Sequence, residues 1–98
     1  MHKLKIPEGF RHISKKIFTD NNSIDISKIQ SIILPESLKP IHRESFSELP
    51  SLQSIHIANG VIKIEEYAFA YCKQLQSVTL PQTLKGIEDG CFYGCESL

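Results

Sequence analysis

The chain has no tryptophan and only one methionine. Its apolar runs are a few residues long, so nothing in it is long enough to form a membrane-spanning helix. It carries no net charge: 11 Lys and Arg balance 11 Asp and Glu. That balance argues against a dedicated binder of nucleic acid or anionic membranes. Cysteine is scarce and odd in number, at three, which does not make a disulfide framework. The opening Met1-His2-Lys3-Leu4-Lys5-Ile6-Pro7-Glu8 lacks the apolar stretch of a signal peptide. The expectation is an intracellular protein, or a targeting segment outside these residues. No glycine-rich phosphate loop occurs.

Branched aliphatics and phenylalanine are plentiful. Leu, Ile, Val and Phe make 30 of the 98 residues, well above a disordered chain, so an ordered core is expected. At this length such a core is marginal unless something extends it. Charge is unevenly spread: residues 1–28 carry +3 and residues 29–98 carry −3. Two solvated surfaces explain that split, and steering by the basic end is the functional reading.

The extension comes from an internal repeat. Leu52, Leu75 and Leu98 are 23 residues apart, as are Phe46, Phe69 and Phe92. Ile41, Ile64 and Ile87 keep the same step, and so do Leu38, Val61 and Leu84. Gln30, Gln53 and Gln76 keep it, followed by Ser31, Ser54 and Ser77. Ile32, Ile55 and Val78 complete the set with Leu34, Ile57 and Leu80. Three regular units result, 29–51, 52–74 and 75–98, behind an irregular N-terminal repeat or cap at 1–28. In that first unit, Ile6-Pro7-Glu8-Gly9-Phe10 matches Leu34-Pro35-Glu36-Ser37-Leu38, Ile13 matches Ile41, and Phe18 matches Phe46. An insertion of five residues follows Phe18, within residues 19–28. Irregular end repeats are usual in a stack.

Alternation at the start of each unit predicts a short strand, with Ile32 and Leu34 inward and Ser31 and Ile33 outward. Strands are expected near 4–6, 31–34, 54–57 and 77–80. Pro35, Asn59-Gly60 and Pro81 are turn signals. Residues 66–72 and 89–95 hold one or two helical turns at most, and Gly90 and Gly94 weaken any longer helix there. Each unit is therefore one coil of a solenoid, and stacking supplies the core. The expected fold is an α/β solenoid: a right-handed stack of about four coils with one parallel β-sheet. Short helices or 3₁₀ turns lie on the other side, and the three phenylalanines stack inside.

Leu75-Gln-Ser-Val78-Thr-Leu80-Pro81-Gln-Thr-Leu84-Lys-Gly-Ile87-Glu-Asp-Gly-Cys91-Phe92-Tyr-Gly-Cys95-Glu-Ser-Leu98 resembles the leucine-rich repeat of the BspA-like, or Treponema, type. So does Ile64-Glu-Glu-Tyr-Ala68-Phe69-Ala-Tyr-Cys72-Lys-Gln-Leu75. The unit from Ile29 departs from the pattern with Ser45 for Ala and Leu49 for Cys. The resemblance spans about residues 4–98. It implies a leucine-rich-repeat solenoid that binds proteins or host surfaces, at the cell surface or secreted, with no enzyme activity and no cofactor.

Cys72 and Cys95 fall one repeat apart, about 5 Å between neighbouring coils, which a disulfide would accept. The plainer reading is that both, with Cys91, are small buried hydrophobes; unbridged thiols are expected. No histidine falls near enough in sequence to complete a zinc site. His2, His12, His42 and His56 share no spacing. His42 stacks over Glu65 and Glu65 over Glu88, while Arg43 stacks over Glu66. These read as exposed charge ladders worth a few tenths of a kcal/mol, without the burial that acid–base chemistry needs. Asp20-Asn21-Asn22-Ser23-Ile24-Asp25 is oxygen-rich but has the wrong residues for an EF-hand loop. Asn21-Asn22-Ser23 is formally a glycosylation acceptor.

The functional expectation is a non-catalytic module that binds a protein partner through its strand face. The alternative is a structural cap or spacer in a longer array, with no ligand of its own. Neither nucleic acid nor a membrane span is expected. Candidate contact residues are Ser31, Ile33, Ser54, His56, Ser77 and Thr79. Pro35, Ala58 and Pro81 are placed outward beside them, and Lys5 lies on the first coil. Interface centres are depleted of charge, and Ile33 is the large apolar anchor candidate. Val78, Leu80, Leu84, Ile87 and Phe92 lie on a last coil with an unpaired edge, which predicts a truncated array or self-association through that end.

Overall fold

The computed structural model describes residues 3–6, 8–9 and 25–98. The first strand of each repeat is three residues long: β1 (Lys3–Lys5), β2 (Ser31–Ile33), β4 (Ser54–His56) and β6 (Ser77–Thr79). All pair in parallel, in the order β1-β2-β4-β6. Ser31 faces Ser54 and Ser54 faces Ser77, so the register is the 23-residue step read from the sequence. Lys3 faces Ser31 instead, a step of 28. That matches a first unit longer by five residues. Ile13 and Phe18, most of the segment assigned to the insertion, Asn21-Asn22-Ser23, His2 and His12 lie outside the described residues.

A second sheet was not expected. β3 (Pro40–Ile41), β5 (Lys63–Ile64) and β7 (Gly86–Ile87) form a three-stranded parallel ladder of their own. Ile41 faces Ile64 and Ile64 faces Ile87. A column of Ile at fixed period favours a strand as readily as a turn, and the β-branched side chain packs well on a pleated surface.

On the other side, isolated turns stand where short helices or 3₁₀ turns were expected. Among the described residues the one helical element is a 3₁₀ turn at Ile26–Lys28, capped by Asp25, whose carboxylate accepts from the Ser27 amide at 3.0 Å. Elsewhere the amide bonds explain why. Along residues 44–48, alternate amides reach the next coil: Glu44 N to Glu66 O at 3.2 Å, Phe46 N to Ala68 O at 2.8 Å and Glu48 N to Ala70 O at 2.8 Å. Those between turn back three residues, Ser45 N to His42 O and Ser47 N to Glu44 O. Residues 67–71 repeat the scheme against 89–93. An α-helix needs every amide for itself; half of these belong to the stack. Glu44, Glu48, Tyr67 and Tyr71 also sit at φ of 56–63°, with Gly90 and Gly94 in the same two columns at 70° and 75°. Left-handed backbone twice per coil ends any right-handed helix.

The core fills the space between these sides. Phe46, Phe69, Ile41, Ile64, Leu52 and Leu75 are wholly buried. The phenylalanine rings stack, with centroids 5.4 Å apart from Phe46 to Phe69 and 5.5 Å from Phe69 to Phe92. Each buried side chain of this size stabilises by about 1.5–3 kcal/mol. The same columns open at the last coil: Leu84 and Phe92 are half-buried, while Leu80, Ile87 and Leu98 are exposed.

Candidate interaction surface

The β1-β2-β4-β6 ladder builds the candidate face from its register. Ser31, Ser54 and Ser77 form one row, and Ile33, His56 and Thr79 form another, with Lys5 beside Ile33. All six candidates therefore stand together on one sheet. Ile33 is 41% exposed, His56, Thr79, Ser54 and Ser77 are exposed, and Ser31 is half-buried. Gln30, Gln53 and Gln76 run alongside, exposed, and their main chains bond in series: Gln53 N to Gln30 O and Gln76 N to Gln53 O, both 2.8 Å. Pro35, Ala58 and Pro81 do not join the face; all three are buried. The strands end at Ile33, His56 and Thr79, and beyond a strand the period-two alternation no longer assigns sides.

Charge collects away from this face. His42 Nδ1 lies 3.2 Å from Glu65 Oε1, which also accepts from the Arg43 amide at 3.2 Å. Lys63 Nζ is 3.2 Å from Glu88, and Arg43 is 3.9 Å from Glu66. Burial pushes the Glu65 carboxyl up. The bonds from His42 and the Arg43 amide, with the charges of His42 and Lys63, outweigh it and hold the group below its ordinary value. These are the ladders the 23-residue step predicts, except that Glu88 pairs with Lys63.

None of the three cysteines is bridged. Cys72 and Cys95 point their thiols at the carbonyls of Phe46 and Phe69, each at 3.1 Å. Cys91 lies 2.9 Å from Glu88 O and 3.1 Å from Glu65 O. Burial pushes the Cys91 and Cys95 thiols up, so they are donors at neutral pH, not nucleophiles. Among the described residues no group of His, Cys, Asp and Glu is arranged to hold a metal ion. No helix among them is long and apolar enough to cross a membrane.

Three residues that sequence reasoning passed over stand out on the turn side. Tyr67, Tyr71 and Tyr93 are the chain's only tyrosines, and they touch. Tyr93 sets its ring edge-on to both others, with centroids 6.4 Å from Tyr67 and 5.6 Å from Tyr71. Their crowding into 27 residues was a usable signal. The 23-residue step hides it, because the three tyrosines fall in three different columns.

The BspA-type leucine-rich repeat region, described as six copies, matches residues 1–98. A leucine-rich cell surface protein from Faecalibacterium prausnitzii shares the fold, with a TM-score of 0.70 and 23% identity over 100% of this chain. A leucine-rich repeat protein from Bacteroides ovatus aligns with a TM-score of 0.52 and 31% identity, again over 100% of this chain. The chain spans 31% and 30% of the lengths of those two proteins. No curated protein matches it. A 23-residue step carried through four strand pairings and two stacked phenylalanine contacts, with the family match across its whole length, assigns the chain to the BspA-type leucine-rich repeat family.

Proposed function

We propose that this chain is a non-catalytic protein-binding segment of a surface repeat protein. Its contact face is the row of Ser31, Ile33, Ser54, His56, Ser77 and Thr79. One observation carries the reading: the sheet register gathers these six into a single face around an exposed Ile33, uncharged apart from Lys3 and Lys5 on its edge strand. An apolar anchor inside a small polar surround is how contact energy concentrates at interfaces. The leucine-rich cell surface protein that shares the fold supports a surface setting. The architecture we infer is a right-handed stack of about four coils. It comprises an irregular first unit at 1–28 and regular units at 29–51, 52–74 and 75–98.

A second reading, a structural cap or spacer within a longer array, is favoured by size. Four strands about 4.8 Å apart make a face roughly 15 Å by 10 Å, whereas a stable interface takes about 800 Å² per partner. The exposed Leu80, Ile87 and Leu98 favour coverage of the last coil, by a further coil or by a second copy of the chain.

The test compares two pairs of charge substitutions against a purified protein partner. Ile33→Glu and Thr79→Arg should weaken binding about tenfold, the scale of a lost interface anchor. Glu65→Lys and Lys85→Glu should leave it unchanged. Binding lost only in the second pair would move the contact off the strand face. Binding retained in both pairs would place the contact on neither surface, and a parent chain that binds no partner would support the spacer.

A further inference from the structure

We propose that the tyrosine cluster on the turn side is a second docking surface, for an arginine-bearing segment of a partner protein. It lies on a different side of each coil from the strand face.

The cluster is built, not incidental. Tyr67 and Tyr71 lie over Gly90 and Gly94 of the next coil: a Cβ at Gly90 would come within 2.6 Å of the Tyr67 ring, and one at Gly94 within 2.7 Å of Tyr71. Those glycines leave room for both rings to close on the next coil. Tyr93 packs roughly perpendicular to each of them, at interplanar angles of 80° and 90°. The three side chains are 40%, 47% and 59% exposed. At about 200 Å² per ring side chain, they present roughly 300 Å² of continuous aromatic surface, the scale at which a patch on a single chain is often functional.

The backbone points the same way. The repeat requires left-handed φ at two positions per coil, and the last coil meets that requirement with glycine. The two coils before it hold Glu44, Glu48, Tyr67 and Tyr71 there instead, at φ of 56–63°. Non-glycine residues in that region cost on the order of 1–3 kcal/mol each and concentrate at binding surfaces. The side chains placed against that cost are two rings and two carboxylates.

Charge selects the occupant. Turn segments 43–49, 66–72 and 89–95 carry Glu44, Glu48, Glu66 and Asp89 against Arg43 alone. A cleft of about 450 Å³ lies on the Tyr71 side, lined by Glu48, Pro50, Tyr71, Lys73 and Gln74. Another, of about 280 Å³, is lined by Glu66, Glu88 and Asp89, and Asp89 is the residue whose carbonyl takes the Tyr67 amide. Carboxylates thus outnumber cations around the rings, although Lys73 shares the first cleft, Glu66 pairs with Arg43 and Glu88 with Lys63. A guanidinium satisfies both features, stacking on an aromatic face while its planar fork meets a carboxylate. An ammonium offers only the charge, and an acidic segment would be repelled.

The test uses the chain's own chromophores. With no tryptophan and all three tyrosines in the patch, tyrosine emission reports this surface and nothing else. The intact chain is titrated with the peptide acetyl-Gly-Arg-Gly-Arg-Gly-amide, its Lys counterpart and its Glu counterpart. The Arg peptide should give a saturable emission change, the Lys peptide a weaker one and the Glu peptide none. Glu44→Lys with Asp89→Lys, which leaves the rings in place, should weaken the Arg peptide about three- to fivefold or more. Tyr71→Leu should do the same, while Ile33→Glu on the strand face should change nothing. A flat Arg titration, an equal response to the Glu peptide, or undiminished binding by the charge variant would overturn the proposal. So would saturable binding of a neutral oligosaccharide or dilution-dependent emission in place of the Arg response. None of these outcomes bears on the strand face.

Discussion

The thiol of Cys72 donates to the carbonyl oxygen of Phe46 at 3.1 Å, across 26 residues of sequence and one coil of the stack. Cys95 repeats the contact with Phe69. Cysteine suits this column because it is small and apolar enough for the core, yet supplies one weak donor for a buried carbonyl. Cys72→Ala should lose about 1–3 kcal/mol, through the lost thiol bond to a buried carbonyl and the lost volume. Cys72→Ser, which restores a donor, should lose less than Cys72→Ala. Urea titration of both variants reads the difference, and equal losses would show that the site asks only for volume.

Phe69 sits between two stacked neighbours and is wholly buried, whereas Phe92 has one neighbour and is half-buried. Phe69→Ala should cost about 3–5 kcal/mol. Phe92→Ala should cost clearly less. Denaturant midpoints of the two variants decide it, and a loss under ~1 kcal/mol at Phe69 would mean the ladder contributes little.

The three thiols are shielded to different degrees. Cys72 and Cys91 are buried, Cys95 is half-buried, and burial raises the latter two thiols. Labelling of the native protein should be slow and begin at Cys95. Three equivalents should react at once after unfolding without reductant. A count below three would reveal an oxidised pair.

Gly90 and Gly86 make a matched comparison. At Gly90 an added methyl meets the Tyr67 ring and φ is +70°, while at Gly86 nothing lies within 4 Å. Gly90→Ala should destabilise by roughly 1 kcal/mol or more and change tyrosine emission as Tyr67 lifts. Gly86→Ala should do neither. Emission unchanged in Gly90→Ala would show that the ring does not rest on the glycine.

Glu65 gives the pH dependence. Its carboxyl is held below an ordinary value of 4.5 in the folded chain. A depressed folded pKa contributes stability above the unfolded value, and that contribution disappears as the pH falls through the folded one. Glu65→Gln should therefore be less stable than the parent above the ordinary carboxylate range, with the gap narrowing as the pH falls below it. Urea midpoints across that range test this, and a gap that stays constant would assign the loss to packing instead of ionisation.

The 23-residue period settled which residues meet. In a solenoid each residue's neighbour is one step along the chain. The period alone therefore set the strand register, the phenylalanine and isoleucine columns, the His42–Glu65 pair and the longer first unit. It also identified Ile33 as outward, because alternation holds inside a strand. What the period does not encode is how the chain bends within a coil. Only the tertiary structure decided that Pro35, Ala58 and Pro81 turn inward, because the strands stop at Ile33, His56 and Thr79, two residues short of them. Only it showed that the isoleucine column pairs into a second sheet. The turns were decided there too: their amides are shared between coils, so local helix propensity does not govern them. That sharing holds two positions per coil in left-handed backbone. The resulting geometry brings Tyr67, Tyr71 and Tyr93 into one surface from columns that the repeat keeps apart.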